Sequence, residues 1–263
     1  MSLAAALQRL VSAPRLLVAL DFDGVLAPIV DDPATSAPLP GMTDSLHALS
    51  ALPRTAVALL SGRALADLAA LSGVGPQIRL VGSHGAQWSG GPVAGFDDER
   101  AARLGWLSAG FERIAQRYDG VRVERKPVSA VLHTRRAERV DAAAATQRAR
   151  EFLAGASDLH VTIGKEVVDV AVVPADKGQA LVALRAEAGA DAVLFAGDDV
   201  TDERAFQRLG PDDVGVKVGP GDTAAAYRVG SPAEFADVLA ELTRLRTLDD
   251  RFSGTGRPPR RRG

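Results

Sequence analysis

The 263-residue chain is expected to fold as an α/β protein: a doubly wound, mainly parallel core with a second α/β unit inserted into it. Three observations carry this expectation. Short aliphatic runs recur at 16–20, 55–60, 79–82 and 192–196, each the length of a buried strand and each ending in small or acidic residues. Helical patterns stand between and after several of these runs. The stretch from Ser61 to Lys177 holds more residues than one crossover helix uses, and its periodicity changes beyond Phe96, as expected for an insertion.

Residues 1–11 read as a short amphipathic helix, without the basic start and cleavage pattern of a signal peptide. The first strand, 16–20, runs directly into Asp21, Phe22, Asp23 and Gly24. In an open parallel sheet, ligands collect beyond the carboxyl ends of strands, so both carboxylates belong to a candidate active site. Two ionised carboxylates so close repel each other, which points to a divalent cation, a shared proton, or both. A strand ending in a plain Asp-Gly turn is the alternative.

The second strand ends at Ser61, Gly62 and Arg63, with a helix expected from about Ala64. A hydroxyl beside free backbone N–H groups makes a cradle for phosphate oxygens, and an ordinary helix cap is the competing reading. The strand at 79–82 leads into Gly82, Ser83, His84, Gly85 and Ala86. Lys177 opens a helix running through Leu184, a position where its charge opposes the helix dipole unless an anion compensates. The strand at 192–196 stops at Gly197, Asp198 and Asp199, and Asp202 follows at helical spacing. Capping accounts for one of these acids but not for three. Hard oxygen donors of this kind suit magnesium, which takes few protein carboxylates and completes its octahedron with phosphate and water.

Within the insertion, 104–118 has helical periodicity, 121–126 and 129–135 alternate like paired strands, and 137–153 is an alanine-rich helix. Residues 160–173 read as two strands around Gly164 and Lys165, and Pro174 marks the return to the core. A unit of this size is large enough to form a lid that keeps water from the core site. The expected division is 1–96 and 175–250 for the core, 97–174 for the lid, and 251–263 for a basic, Pro- and Gly-rich disordered tail.

Composition narrows the classes. With 46% hydrophobic residues the chain can bury one large core or two moderate ones, and a net charge of −2 disfavours nucleic acid as the main partner. The absence of cysteine removes disulfides, thiol catalysis and thiolate metal sites, in keeping with a cytoplasmic location. No apolar run approaches a membrane span.

Taken in order, Asp21-x-Asp23, Ser61, Lys177 and Gly197-Asp198-Asp199-x-x-Asp202 resemble the haloacid-dehalogenase-like phosphohydrolases, with their Rossmann-like core. The resemblance implies a nucleophile at Asp21 that becomes an aspartyl phosphate and a general acid and base at Asp23. It implies that Ser61 and Lys177 hold phosphoryl oxygens. Magnesium would be bound by Asp21, the Asp23 carbonyl and Asp198, with support from Asp199 and Asp202.

The strings GSHGA at 82–86 and GDDVTDE at 197–203, with the polar stretches around Glu124, His133 and Gly164, are similar to the trehalose-6-phosphate phosphatase family over roughly 16–240. That similarity implies substrate contacts from Glu124, Lys126, His133 and Asp169 in the lid and from Gly62, Arg63, His84 and Gly85 in the core, with His84 and Gly85 facing the sugar. One departure stands out. Where the family has an acid two residues before Arg-Pro, this chain has Asp169 and Ala171, with no arginine.

The expected activity is therefore Mg²⁺-dependent hydrolysis of trehalose 6-phosphate, with a functional link to a trehalose-phosphate synthase. The alternatives are a phosphatase of the same superfamily acting on sucrose phosphate or mannosyl phosphoglycerate, and, more remotely, a phospho-aspartate signalling receiver or a non-catalytic sugar-phosphate sensor. Receivers are compact and carry no lid of this size. No membrane or nucleic acid partner is expected.

Overall fold

The structure, a computed structural model, describes residues 1–90, 96–156, 158–164, 166–173 and 176–254. Lys165, Pro174 and Ala175, read above as part of a turn and the return to the core, lie outside the described residues, as do 255–263 of the expected tail. Contacts divide the chain into two units, Met1–Gly85 with Asp176–Gly263, and Ala86–Ala175.

The first unit begins with α1 (Leu3–Val11), β1 (Leu16–Leu20), α2 (Met42–Ser50), β2 (Thr55–Leu60), α3 (Leu65–Ser72) and β3 (Arg79–Gly82). The second unit contains β4 (Gln87–Trp88), α4 (Asp98–Ala115), β5 (Arg122–Arg125), β6 (Ser129–His133), α5 (Arg139–Leu153), β7 (His160–Ile163) and β8 (Val167–Ala171). The first unit resumes with α6 (Lys177–Ala188), β9 (Ala192–Gly197), α7 (Glu203–Phe206), β10 (Val214–Val218), β11 (Tyr227–Val229) and α8 (Pro232–Gly254).

In the first unit the strands lie in the order β11-β10-β9-β1-β2-β3, and adjacent strands are parallel. The central strand β1 is buried at every position, the pattern of a strand covered on both faces. Val18 and Leu20 enter a core with Leu7 and Leu10 of α1, Leu46 and Leu49 of α2, and Phe235, Leu239 and Leu242 of α8. Each fully buried side chain of this size contributes about 1.5–3 kcal/mol. On the other side α6 packs against β1 and β2.

Arg246 of α8 fastens this layer. Its guanidinium donates to the carbonyls of Val11, Ala13 (2.8 Å) and Arg54 (3.1 Å) and to Thr55 Oγ1 (3.1 Å), giving partners to carbonyls at the end of α1 and before β2. α8 runs to Gly254, four residues into the stretch expected to be disordered. The Pro- and Gly-rich character that motivated that expectation is concentrated after Ser253, and Arg251 and Phe252 extend a helix already nucleated.

The second unit is a four-stranded antiparallel sheet, β5-β6-β8-β7. Ala130, Leu132, Val168 and Val170 form its covered face with Leu107 and Phe111 of α4 and Ala145 and Ala149 of α5. α4 starts at Asp98 instead of 104, because Asp97 caps it by accepting from the Arg100 N–H at 2.9 Å, and Asp98 and Glu99 suit the positive end of the helix dipole. Ala86 and Phe96 pack with Val128 and Val173, residues of this unit.

Candidate active site

Strand register decides what meets at the sheet edge. Leu20 pairs with Leu59 on one side and with Ala196 on the other, so β1, β2 and β9 end level with one another. Asp21 therefore emerges between the Ser61 and Asp198 ends of its neighbours. The Asp21 N–H donates to the Ala196 carbonyl (2.9 Å) and the Ser61 N–H to the Val81 carbonyl (2.9 Å), extending the ladder one residue past β1 and β2.

Lys177, at the first turn of α6, reaches into this edge. Its buried ammonium donates to Asp21 Oδ2 at 2.8 Å and to Asp202 Oδ1 at 2.7 Å, the anions its position at a helix N-terminus requires. The other Asp202 oxygen accepts from the N–H groups of Asp198 (2.9 Å) and Asp199 (3.1 Å). Asp199 Oδ1 accepts from the Thr201 N–H (2.7 Å), the Thr201 hydroxyl (2.6 Å) and the Asp202 N–H (3.2 Å). Residues 198–202 thus form a side-chain-bonded turn, and α7 begins only at Glu203. This corrects the expected helical spacing of Asp202: the acids converge through hydrogen bonds of the turn.

Oxygens of Asp21, Asp198, Asp199 and Asp202 lie within 4.8 Å of one another. Burial, with repulsion from Asp202 and Asp199, pushes the Asp21 carboxyl well above the ordinary value against the pull of Lys177. Burial also pushes Asp198 up to about 6, reinforced by Asp199 and Asp202. Burial alone would lower Lys177, but the charges of Asp21, Asp202 and Asp199 outweigh it and hold the ammonium above its ordinary value. Asp199 is opposed by burial, yet Lys177 and the Thr201 hydrogen bonds bring it below the usual carboxylate value. The cluster is short of positive charge, and its donors are all hard oxygens. Both properties fit a divalent cation of the magnesium type.

The Asp23 side chain is not in that group among the described residues. Arg63 grips it through two parallel bonds, Nε to Oδ2 at 2.6 Å and Nη2 to Oδ1 at 2.7 Å, and the Ser36 hydroxyl donates to Oδ1 at 3.1 Å. Arg63 Nη1 donates to the Pro33 carbonyl at 2.8 Å, and the guanidinium lies over the Phe22 ring. Ser61 is buried and its hydroxyl oxygen accepts from the Arg63 N–H at 3.2 Å. Since α3 starts at Leu65 with Ala64 at its cap, Ser61 is not that helix's cap.

Ser83 and His84 both take left-handed backbone angles, φ 49° and 55°. For residues other than glycine this costs about 1–3 kcal/mol each, the kind of strain that gathers at functional sites. The conformation is held by Ser83 N–H to the Arg63 carbonyl (2.7 Å) and His84 N–H to the Ser61 carbonyl (2.9 Å). It sets the imidazole against Gly62, where a Cβ would come within 2.4 Å of the ring. Gly85 lies beside Asp176 and Ala180 at the start of α6.

Gly24 is the tightest approach. With φ at +75°, a Cβ there would fall 1.9 Å from Asp198 Oδ2. Gly24→Ala is expected to lower unfolding free energy by at least about 1–2 kcal/mol from the left-handed backbone alone, and more as Asp198 is displaced. Urea unfolding checks the first effect, and reduced phosphate release the second.

In the second unit Glu124, Val131, Asp169 and Thr162 are cross-strand neighbours and share one face of the sheet. His133 belongs to the same face, since residues two apart on a strand point alike. This is the face opposite the helices. His133 Nε2 lies 2.9 Å from Glu124 Oε2, and Lys126 Nζ 3.6 Å from Asp169 Oδ2. Glu124, Lys126, His133 and Asp169 therefore form two polar pairs on one surface of this unit.

Thr201 also takes part, from inside the GDDVTDE string. Lys217 and Ser36 take part too, and no motif in the sequence points to them. Lys217 is buried in β10 and donates to the Asp198 carbonyl. A lysine inside the apolar run Val214–Val218 is the signal that could have revealed it.

A parallel sheet whose level strand ends bring together Asp21, Ser61 and the 198–202 turn, with a lysine entering from a helix, defines the haloacid-dehalogenase-like class. The chain belongs to the trehalose-phosphatase family, whose model matches residues 19–232. It is 36% identical over 256 residues to the trehalose-phosphate phosphatase of Mycobacterium marinum, covering 90% of this chain and 64% of that protein. The chain thus spans a little under two thirds of that relative's length. Among solved structures, the Aspergillus fumigatus trehalose-6-phosphate phosphatase is 28% identical with a TM-score of 0.67, covering 93% of this chain and 98% of the other. The C-terminal domain of the C. albicans trehalose-6-phosphate phosphatase shares the fold, with a TM-score of 0.74 at 24% identity over 93% of this chain and 97% of that one.

Proposed function

We propose that the chain hydrolyses trehalose 6-phosphate to trehalose and phosphate, in two steps through an aspartyl phosphate on Asp21. The observation that carries this reading is the convergence of Asp21, Lys177, Asp198 and Asp202 at one sheet edge, within a chain of the trehalose-phosphatase family. Asp21 and Asp198, with the Asp23 carbonyl, would hold Mg²⁺, while Asp199 and Asp202 fix the turn that presents Asp198. The bound cation would offset charge on the phosphoryl oxygens and on the carboxylates around them.

The residues then divide the work. Asp21 Oδ1 accepts from the Phe22 N–H at 2.6 Å and Oδ2 from Lys177, so its attack direction is set before substrate arrives. Its carboxylate oxygen bonds to phosphorus as the sugar oxygen leaves with a proton from Asp23. In the second step water attacks phosphorus, gives its proton to Asp23, and the Asp21 carboxylate is released. Lys177 and the Ser61 hydroxyl stabilise charge on the transferring group, where positioning and electrostatics count most. For Asp23 to exchange protons, the two-point grip of Arg63 must give up one oxygen. Arg63 is then free to meet the substrate phosphate.

The lid residues Glu124, Lys126, His133 and Asp169, with Gly62, Arg63, His84 and Gly85, are the proposed substrate contacts. A surface of paired donors and acceptors discriminates sugars because a wrong hydroxyl pattern leaves polar groups unpaired. Ala171, in place of the family's arginine, supplies no cationic contact and keeps sucrose phosphate or mannosyl phosphoglycerate as a second reading. Among the described residues no helix is long and apolar enough to cross a membrane. We place the activity in the cytoplasm, using the product of a trehalose-phosphate synthase.

The test is phosphate release from trehalose 6-phosphate and from these alternatives, with Mg²⁺ and with chelator. The expected result is a clear preference for trehalose 6-phosphate and loss of turnover with chelator. A preference for another sugar, or turnover indifferent to chelator, contradicts the corresponding part of the proposal.

A further inference from the structure

We propose that Lys217 is a positioning residue that fixes the main chain of Asp198 and thereby sets the affinity of the acidic cluster for its divalent cation. The inference rests on the metal reading above and adds to it a residue that does not itself ligate.

Lys217 is 4% exposed, between Val216 and Val218, which are also buried. Burying an ammonium costs several kcal/mol unless it is paired, and an apolar residue would serve the strand better. Register explains its reach. Lys217 pairs with Gly197 across β10 and β9, one residue before Asp198, and its Nζ donates to the Asp198 carbonyl.

The Asp198 N–H is already bonded to Asp202 Oδ2 at 2.9 Å. Both backbone polar groups of Asp198 are thus held, one by an acid and one by a lysine. With the backbone pinned at both ends, the side chain is held in the notch left by Gly24, where a Cβ would be only 1.9 Å from Oδ2. The two buried lysines act on different groups. Lys177 bonds carboxylates, whereas Lys217 bonds a peptide carbonyl and orients the carboxylate beyond it. Partners that orient a metal ligand in this way typically change affinity by about 10–100-fold when removed.

At a pH well above the carboxylate range, where Asp198 is ionised with or without Lys217, electrostatics alone predicts the opposite sign. Removing a positive charge from beside a cation site relieves repulsion and tightens binding. The two accounts therefore separate in one titration. Calorimetric titration of the metal-free full chain with Mg²⁺ is expected to show affinity about 10–100-fold weaker for Lys217→Met than for wild type. Lys217→Gln, neutral and too short to reach as the ammonium does, is expected to weaken binding by at least about fivefold, and it carries the test if the Met variant does not fold. Val218→Ala, on the same strand, serves as the control for general loosening and is expected to lower stability while leaving affinity unchanged.

Unchanged or tighter Mg²⁺ binding in the folded Lys217 variants would overturn the inference, as would an equal loss of affinity in Val218→Ala. Wild-type binding that disappears in Asp198→Ala tests the metal reading separately. If wild type itself bound no Mg²⁺, both would fall; intact wild-type binding with indifferent Lys217 variants removes this inference alone.

Discussion

Asp21→Asn is expected to lose phosphate release by at least about 10⁴-fold, the scale seen when a catalytic nucleophile is removed, while remaining folded. The substitution keeps shape and volume. The amide oxygen still accepts the Phe22 N–H, and Lys177 retains Asp202 at 2.7 Å, so the ammonium is not left alone. What disappears is the anionic oxygen that bonds to phosphorus. The Asn variant also relieves repulsion in a cluster with excess negative charge, so its unfolding midpoint is expected to stay close to wild type. Phosphate assays and thermal unfolding on the same preparation check both halves. Near-normal turnover on any phosphate ester would remove Asp21 as nucleophile.

Lys177→Met is expected to show the opposite balance, with a large effect on stability as well as activity. The lysine is buried between two buried carboxylates, with Asp198 and Asp199 nearby. Removing one partner from a buried ion pair typically costs about 3–5 kcal/mol, because the remaining charge stays desolvated without compensation. Loss of one oxyanion-stabilising donor is expected to reduce turnover by about 10²–10³-fold. The variant should also gain more thermal stability from added Mg²⁺ than wild type does, since the cation replaces part of the missing charge. Unfolding in urea with chelator, and melting with and without Mg²⁺, measure these effects. Wild-type stability in chelator would contradict the role given to Lys177.

Much of the core could be read from the sequence because a buried parallel strand leaves an unmistakable trace. Leu16–Leu20 is apolar throughout and then stops at Asp21, and Ala192–Gly197 does the same before Asp198. Once both strands are placed in one parallel sheet, their polar ends meet. Lys177 could be anticipated because a cation at a helix start needs anions.

Other features were hidden for physical reasons. Asp202 reaches the cluster through hydrogen bonds of a turn, which spacing alone does not distinguish from a helix. The Arg63 grip on Asp23 joins residues 40 apart in sequence, and no local pattern records it. Lys217 leaves only the trace of one lysine inside an apolar strand, and its hydrogen bond to the Asp198 carbonyl is what gives that trace meaning. The left-handed pair Ser83 and His84 was masked by flanking glycines, where such angles are usually taken by the glycine itself.

The most direct test of the central claim is a crystal structure of the chain grown with Mg²⁺ and orthovanadate, a mimic of the phosphoryl group in transfer. The account predicts Mg²⁺ bound directly to the carboxylates of Asp21 and Asp198, and vanadium facing the Asp21 oxygen with Lys177 and Ser61 on its equatorial oxygens. Metal and vanadate bound apart from each other, or away from this sheet edge, would contradict it.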